Sequence, residues 1–230
     1  MRARLALMHC GAQCELREVL LKDKPAQMLD ISIKGTVPVL LLPNTNPSTP
    51  TTDTFESETS CNATSYRVID ESIDIMRWAM NENPTRDKPN AQEWQTTENL
   101  TAESINALIE QNDGEFKAQL DKYKYSDRHP EHSQAYYLDQ AVPFLEILER
   151  LLHQSSNLTG EQFRFADAAI LPFIRQFSMV DAKTFSALPL PKLQQWLREG
   201  LASDLFLSVM DKRLPWKADS GEGPVMFGRA

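Results

Sequence analysis

The chain contains few cysteines and lacks both a long apolar run and an excess of basic residues. Three cysteines among 230 residues are too few and too irregularly spaced for a disulfide framework, and they suit a reducing compartment. The longest apolar stretch, residues 166–177, contains Asp167 and Arg175 and is shorter than the roughly 20 residues that span a bilayer. A net charge of −8 argues against nucleic acid as the main partner, because phosphate binding needs a basic face.

Motifs for nucleotides, metals and secretion are missing as well. The sequence contains neither G-x-G-x-x-G nor a P-loop, and its Cys and His residues do not cluster as zinc ligands. No signal peptide is visible, because Arg2 and Arg4 lead directly into an amphipathic pattern. We therefore expect a cytoplasmic protein without metal or nucleotide cofactor, whose partners are neither nucleic acid nor membrane.

The apolar content of 41% can bury a core, and the first 80 residues mix short strand and helix patterns. A helix over residues 1–12 ends at Gly11, a typical C-cap. Strands are predicted at 14–21, 37–42 and 66–69, and helices at 25–31 and 70–80. Residues 44–65 are almost entirely polar and predict an inserted loop.

After a polar boundary at residues 81–90, every pattern is helical. Helices are predicted at 91–125 with a bend at Gly114, and at 131–153, 165–180, 189–198 and 203–212. Residues 165–180 are apolar on nearly all sides and predict a central buried helix, kinked at Pro172. The chain thus divides into an α/β domain over 1–80, an all-helical domain over 91–212 and a tail over 213–230.

Three stretches together resemble the glutathione transferase family: KGTVPVL from Lys34, VIDESIDIMRW from Val68 and FADAAILPFIR from Phe165. The opening residues 1–7 are also similar to the first helix of bacterial members. The resemblance implies a thioredoxin-like first domain, an all-helical second domain and a cytoplasmic homodimer. Its ligand would be glutathione, used as a co-substrate with a small hydrophobic electrophile or a disulfide.

The resemblance assigns the glutathione head group to Glu71 and Ser72. Ser72 would bind the γ-glutamyl carboxylate by its hydroxyl and backbone N–H, because a helix N-terminus offers free donors and a positive dipole end. Glu71 would pair with the α-ammonium. The alternative is that these residues and Asp70 simply cap a helix.

The resemblance also makes Val37 and Pro38 a residue followed by a cis-proline. Val37 would then offer its N–H and C=O to the cysteinyl unit of glutathione, like an added strand. The alternative is an ordinary trans proline on an edge strand. Lys34 would reach the glycyl carboxylate or remain a solvated surface lysine.

Two positions depart from the family pattern. Asp167 matches the acid that caps a helix of the second domain, but Arg164 stands where a Ser or Thr is expected, so half of that capping box is lost. The chain also opens inside the family's first helix, so its first strand and its catalytic Tyr, Ser or Cys are expected upstream of Met1. Cys10 and Cys14 are interpreted as structural thiols rather than substitutes.

Three functions remain open. The first is a glutathione transferase that conjugates glutathione to an electrophile or exchanges it with thiols, with a pocket lined by the first helix and the helix from residue 91. The second is a non-catalytic adaptor or stress protein on the same fold, suggested by the absent catalytic segment and the insertion. The third is a glutaredoxin-like reductase, which needs a reactive cysteine near the start of the first helix.

Overall fold

The computed structural model describes residues 1–43, 66–84, 87–217 and 225–228. The predicted inserted loop at 44–65 and its Cys61 lie outside the described residues. Within the described ranges, no helix has both the length and the apolar character needed to cross a bilayer.

The N-terminal half, residues 1–84, alternates helices and short strands. Gly11, with φ +67°, follows the first helix as the sequence predicts. The first predicted strand is shorter than expected, since only residues 14–16 form a strand. The elements are α1 Arg2–His9, β1 Cys14–Leu16, α2 Ala26–Ile31, β2 Leu40–Pro43, β3 Tyr66–Ile69 and α3 Ser72–Asn81.

The strands form two separate antiparallel pairs. β2 pairs with β3, from Leu40 opposite Ile69 to Pro43 opposite Tyr66. β1 pairs with β4 (Val225–Phe227), a strand contributed by the tail that the sequence did not predict. The chain leaves β4 through Gly228, whose φ is +120° and where a Cβ atom would lie 2.1 Å from the carbonyl oxygen of Ala12. Only glycine fits this close approach.

The helical half, residues 87–217, contributes most of the common hydrophobic core. Its α-helices are α4 Lys88–Gln95, α5 Ala102–Gln111, α6 Lys117–Lys124, α7 Gln134–Leu152, α8 Phe165–Ser178, α9 Ala182–Ala187, α10 Pro191–Ala202 and α11 Asp204–Ser208. Helix α8 is central, as predicted, and packs against α1, α5, α9 and α10. A π-helical segment, Asn112–Phe116, joins α5 to α6, and a 3₁₀ turn, Ser126–Arg128, follows α6.

The predicted helix over 91–125 is wrong as a single element. The chain leaves the helix at Thr96 and re-enters it after Thr101, whose hydroxyl accepts a hydrogen bond from the Ser104 N–H at 3.2 Å. Gly114 lies in the π-helical segment between α5 and α6. Apolar periodicity continues across both breaks, which is why the pattern alone did not reveal them. Helix α9 was also missed; the Asp181 carboxylate caps it by accepting from the Thr184 N–H at 3.0 Å.

Candidate functional site

A cavity of about 710 Å³ lies between the two halves. The N-terminal half contributes residues from α1, from the loop before β2 and from the start of α3. The helical half contributes α6, the first residue of α7, and α8 with the residues that follow it. The N-terminal wall consists of Met1, Arg2, Val37, Pro38 and Ser72.

The loop before β2 presents Val37 to this cavity. The Val37–Pro38 peptide bond is cis, which confirms the isomer expected from the sequence. Val37 is 44% exposed although it is apolar. Gly35 precedes it with φ +56°, and a Cβ atom there would lie 3.2 Å from the Leu29 side chain. The loop conformation therefore depends on glycine at this turn.

Ser72 begins α3 and is hydrogen-bonded to a residue that the sequence analysis did not assign to the site. Its hydroxyl oxygen accepts a hydrogen bond from Arg2 Nε at 2.8 Å. Glu71 occupies the N-cap position with extended backbone, and its side chain accepts no hydrogen bond from the first turn of α3. Glu71 therefore does not cap α3 through its side chain.

Arg2 connects the two halves. Its two terminal nitrogens donate to Asp113 Oδ1 and Oδ2 at 2.7 and 2.8 Å, a bidentate pair between α1 and the π-helical segment. The guanidinium also lies 5.1 Å from the ring centroid of Phe173 on α8. The signal in the sequence was an arginine four residues before Ala6, on the apolar face of α1.

Lys34 and Glu71 lie beside this wall but pair with each other. Lys34 Nζ is 2.6 Å from Glu71 Oε1 and 3.5 Å from Asp70 Oδ1. The hydrogen bond to Glu71 raises the pKa of Lys34 above its ordinary value. Both side chains are about half exposed, at 51% and 52%. Of the five residues predicted for the site, Val37, Pro38 and Ser72 thus line the cavity, while Lys34 and Glu71 form an exposed pair next to it.

Neither described cysteine lines the cavity. Cys10 is fully buried, and desolvation, followed by the charge of Asp87, raises its pKa to about 12. Desolvation raises the pKa of Cys14 as well. Both side chains are therefore protonated thiols near neutral pH, whereas the nucleophilic form of cysteine is the thiolate.

Asp167 fixes the start of α8, the helix that forms much of the helical wall. Its Oδ2 accepts from the Arg164 N–H at 3.0 Å, and its Oδ1 accepts from the Leu158 N–H and from Trp196 Nε1, both at 2.9 Å. An arginine side chain has no acceptor, so only the Asp167 half of the capping box forms. Burial raises the pKa of Asp167 to about 6, against the lowering effect of these hydrogen bonds.

Two family models match the chain. Residues 1–82 match the glutathione S-transferase N-terminal domain, and residues 106–199 match the glutathione S-transferase C-terminal domain. The first match begins at residue 1. Our expectation that the chain lacks the family's first strand is therefore not supported, although the first element that the structure shows is α1.

Solved structures with a similar fold include several glutathione transferases. A family member from Pseudomonas fluorescens, with two glutathione bound, has a TM-score of 0.67 at 16% identity, covering 90% of this chain and 86% of that chain. Glutathione S-transferase 1-6 from Anopheles dirus species B has a TM-score of 0.64 at 14% identity, with coverages of 90% and 87%. A Burkholderia graminis glutathione transferase, with two glutathione molecules bound per subunit, has a TM-score of 0.56 at 16% identity, with coverages of 80% and 70%. A search of curated proteins finds no match.

Proposed function

Because this chain belongs to the glutathione S-transferase family, we propose that it binds glutathione between its two halves and conjugates it to a small electrophile. One observation carries the proposal: Val37, Pro38 and Ser72, which are 35 positions apart from first to last, line the same cavity. The opposite wall belongs to the helical half, so a second substrate has room beside the tripeptide.

Ser72 is placed to bind the γ-glutamyl carboxylate. Its oxygen already accepts a hydrogen bond from Arg2, so its own proton is free to be donated to a carboxylate. Its backbone lies in the first turn of α3, where N–H groups lack intrahelical acceptors and the helix dipole favours an anion. Ser72 thus offers two donors to one carboxylate.

Glu71 and Lys34 complete the proposed site by exchanging partners. An ion pair between half-exposed side chains is weak, because water competes for both groups. The α-ammonium of glutathione can therefore replace Lys34 on Glu71. The released Lys34 is then available to the glycyl carboxylate at the other end of the tripeptide.

The backbone of Val37 would hold the cysteinyl unit by hydrogen bonds in the manner of an added strand. The thiol would then point towards α6 and α8, where the electrophile binds. The reaction is attack of the thiolate sulfur on an electrophilic carbon, with the thiol proton passing to solvent. Conjugation is favoured over disulfide exchange because the described cysteines lie outside the cavity as protonated thiols.

Retention on immobilised glutathione, followed by calorimetric titration, tests this function. The wild-type chain should bind and elute with free glutathione. Ser72→Ala should weaken binding by about tenfold to a hundredfold, since hydrogen bonds to charged groups contribute about 1.5–3 kcal/mol. Ser186→Ala on α9 is the control: the exposed Ser186 hydroxyl donates to the Lys183 carbonyl on the same helix, so this variant should bind like wild type. Equal affinity of the Ser72→Ala and wild-type chains would show that the site is assigned wrongly.

We propose in addition that the protein acts in the cytoplasm as a homodimer. Light scattering after size-exclusion chromatography should give twice the 26.2 kDa chain mass. A monomeric mass at micromolar concentration would contradict the dimer.

A further inference from the structure

We propose that the electrophile pocket selects substrates that carry a carboxylate on an apolar body; this inference rests on the proposed function. The helical wall contains three basic residues, Lys117, Lys124 and Arg175, while Arg2 lies on the opposite wall. None of the described lining residues is acidic. Such a concentration of positive charge contrasts with the net charge of −8 for the whole chain.

Two of these four charges already have carboxylate partners. Arg2 forms the bidentate pair with Asp113, and Lys117 Nζ lies 2.7 Å from Asp121 Oδ2, one turn along α6. These pairs stabilise the wall, but their charges are largely neutralised for a ligand.

Lys124 and Arg175 differ from them. Among the described residues neither forms an ion pair; each lies instead near an aromatic ring. Lys124 Nζ is 4.8 Å from the centroid of Tyr125, and Arg175 Cζ is 5.9 Å from the centroid of Phe206. An aromatic face leaves the net charge of a cation in place. Two uncompensated positive charges therefore remain at one cavity, and a concave site strengthens their attraction for an anion.

Apolar side chains line the same cavity. Pro172, Phe173, Met179 and Val180 line the cavity along α8 and just beyond it, and Met179 is 64% exposed. An apolar ring or chain would cover this surface, while a carboxylate at its end would pair with Arg175 or Lys124. The preferred substrate is therefore an organic anion, rather than the neutral electrophile that an uncharged apolar pocket would favour.

A chloronitrobenzoate has the required chemistry. The glutathione thiolate attacks the ring carbon that carries chlorine, a sulfur–carbon bond forms, and chloride leaves with the electron pair of the broken carbon–chlorine bond. The thiol proton goes to solvent, and neither molecule is oxidised or reduced. The carboxylate takes no part in the bond changes, so it can report recognition alone.

The test compares the glutathione conjugate of a chloronitrobenzoate with the conjugate of the corresponding uncharged amide. Each purified conjugate is titrated calorimetrically against the full chain, so the readout does not depend on turnover. We expect the carboxylate conjugate to bind about tenfold more tightly, since one pair with Arg175, which is partly buried, is worth about one tenfold step in affinity. The preference should shrink as salt is added, because the attraction is screened.

Variants then test whether Arg175 and Lys124 cause the preference for the carboxylate conjugate. Arg175→Gln and Lys124→Gln should each reduce the preference severalfold, because they weaken binding of the carboxylate conjugate more than binding of the amide conjugate. Arg198→Gln makes the same change in charge at an exposed position of α10 outside the cavity, and should preserve the preference. Circular dichroism and melting temperature confirm that each variant is folded.

The outcomes separate the two proposals. Equal affinity for both conjugates, with glutathione still bound, would overturn the inference and leave the proposed function standing. Binding of a second glutathione per chain without preference between the conjugates would also overturn it. Failure of glutathione and both conjugates to bind would overturn both proposals.

Discussion

The two halves of the molecule differ in how they bury apolar side chains. Among the described residues, nine of the twelve largest fully buried side chains belong to the helical half. The other three, Leu5, Ile75 and Met76, lie on α1 and α3 rather than on any strand. The strands of the N-terminal half therefore do not build a core of their own. That half is stabilised by contacts that reach across the chain, from Arg2 to the π-helical segment and from β1 to the tail.

This difference explains where the cavity lies. A wall made of a loop and helix ends exposes backbone groups and polar side chains such as Ser72. A wall made of a central helix exposes long side chains from a rigid support. We expect substitutions in the helical half to unfold the protein, and substitutions in the N-terminal half to loosen one wall of the cavity.

The largest effect on stability is expected for Asp167→Ala. The substitution leaves three donors without an acceptor, the Leu158 and Arg164 N–H groups and Trp196 Nε1, all near the buried start of α8. The free energy of unfolding should fall by about 3–5 kcal/mol, measured by urea denaturation. The matched control is Asp181→Ala, which removes the exposed cap of α9 and should cost about 1 kcal/mol. Similar losses for both variants would contradict the expectation that the buried start of α8 contributes more to stability than the exposed start of α9.

Asp167 also predicts a pH dependence. Burial raises its pKa from 3.8 to about 6 in the folded protein. The folded state therefore holds the proton more tightly, and the stabilisation is complete below pH 3.8 and is lost as pH rises through 6. The free energy of unfolding of wild type minus that of Asp167→Asn should decrease over this range. A difference that stays constant would show that folding leaves the pKa of Asp167 unshifted, and one that increases would show that folding lowers it.

Phe227→Ala should have the next largest effect. The Phe227 side chain is 5% exposed and joins β4 to the common core, opposite Cys14 on β1. Removing a buried phenylalanine costs about 3–5 kcal/mol, and we expect about 2–3 because a strand near the chain end can detach. Hydrogen exchange should show β1 losing protection while α8 keeps it. Val225→Ala, on the same strand but 41% exposed, is the control. It should change neither the free energy of unfolding nor the hydrogen-exchange protection of β1.

Arg2→Met tests the link between the walls and is expected to cost about 1–3 kcal/mol, because Asp113 loses its bidentate partner. Glutathione affinity should fall severalfold, since the Ser72 hydroxyl loses the donor that orients it. Arg4→Met breaks the Arg4–Glu18 pair, which is 2.7 Å long but outside the cavity, and should leave the affinity unchanged. Unchanged affinity for Arg2→Met would mean that Ser72 needs no positioning residue.

The fold was largely predictable where structure is local. The stretch 165–180, apolar on nearly all sides, predicted α8, and the short run 66–69 predicted β3 at its observed bounds. Positions 37, 38 and 72 of the candidate site followed from the resemblance, and the structure brings them to one cavity.

Prediction from sequence was weaker where the partner is distant. β4 is three residues long, and its partner strand lies more than 200 positions away, so no local pattern marks it. Arg2 and Asp113 are 111 positions apart, so the place of Arg2 on the apolar face of α1 does not reveal its partner. The breaks around α5 depend on one capping threonine and a π-helical segment, neither of which interrupts the apolar repeat.

Titration of isotope-labelled protein with glutathione, followed through the backbone amide signals, tests the central claim most directly. The account predicts that the Val37 and Ser72 amides shift together along one binding curve. The amide of Lys192, at the start of α10 and outside the cavity, should stay in place. A saturable binding curve in which the Val37 and Ser72 signals do not move would contradict the account.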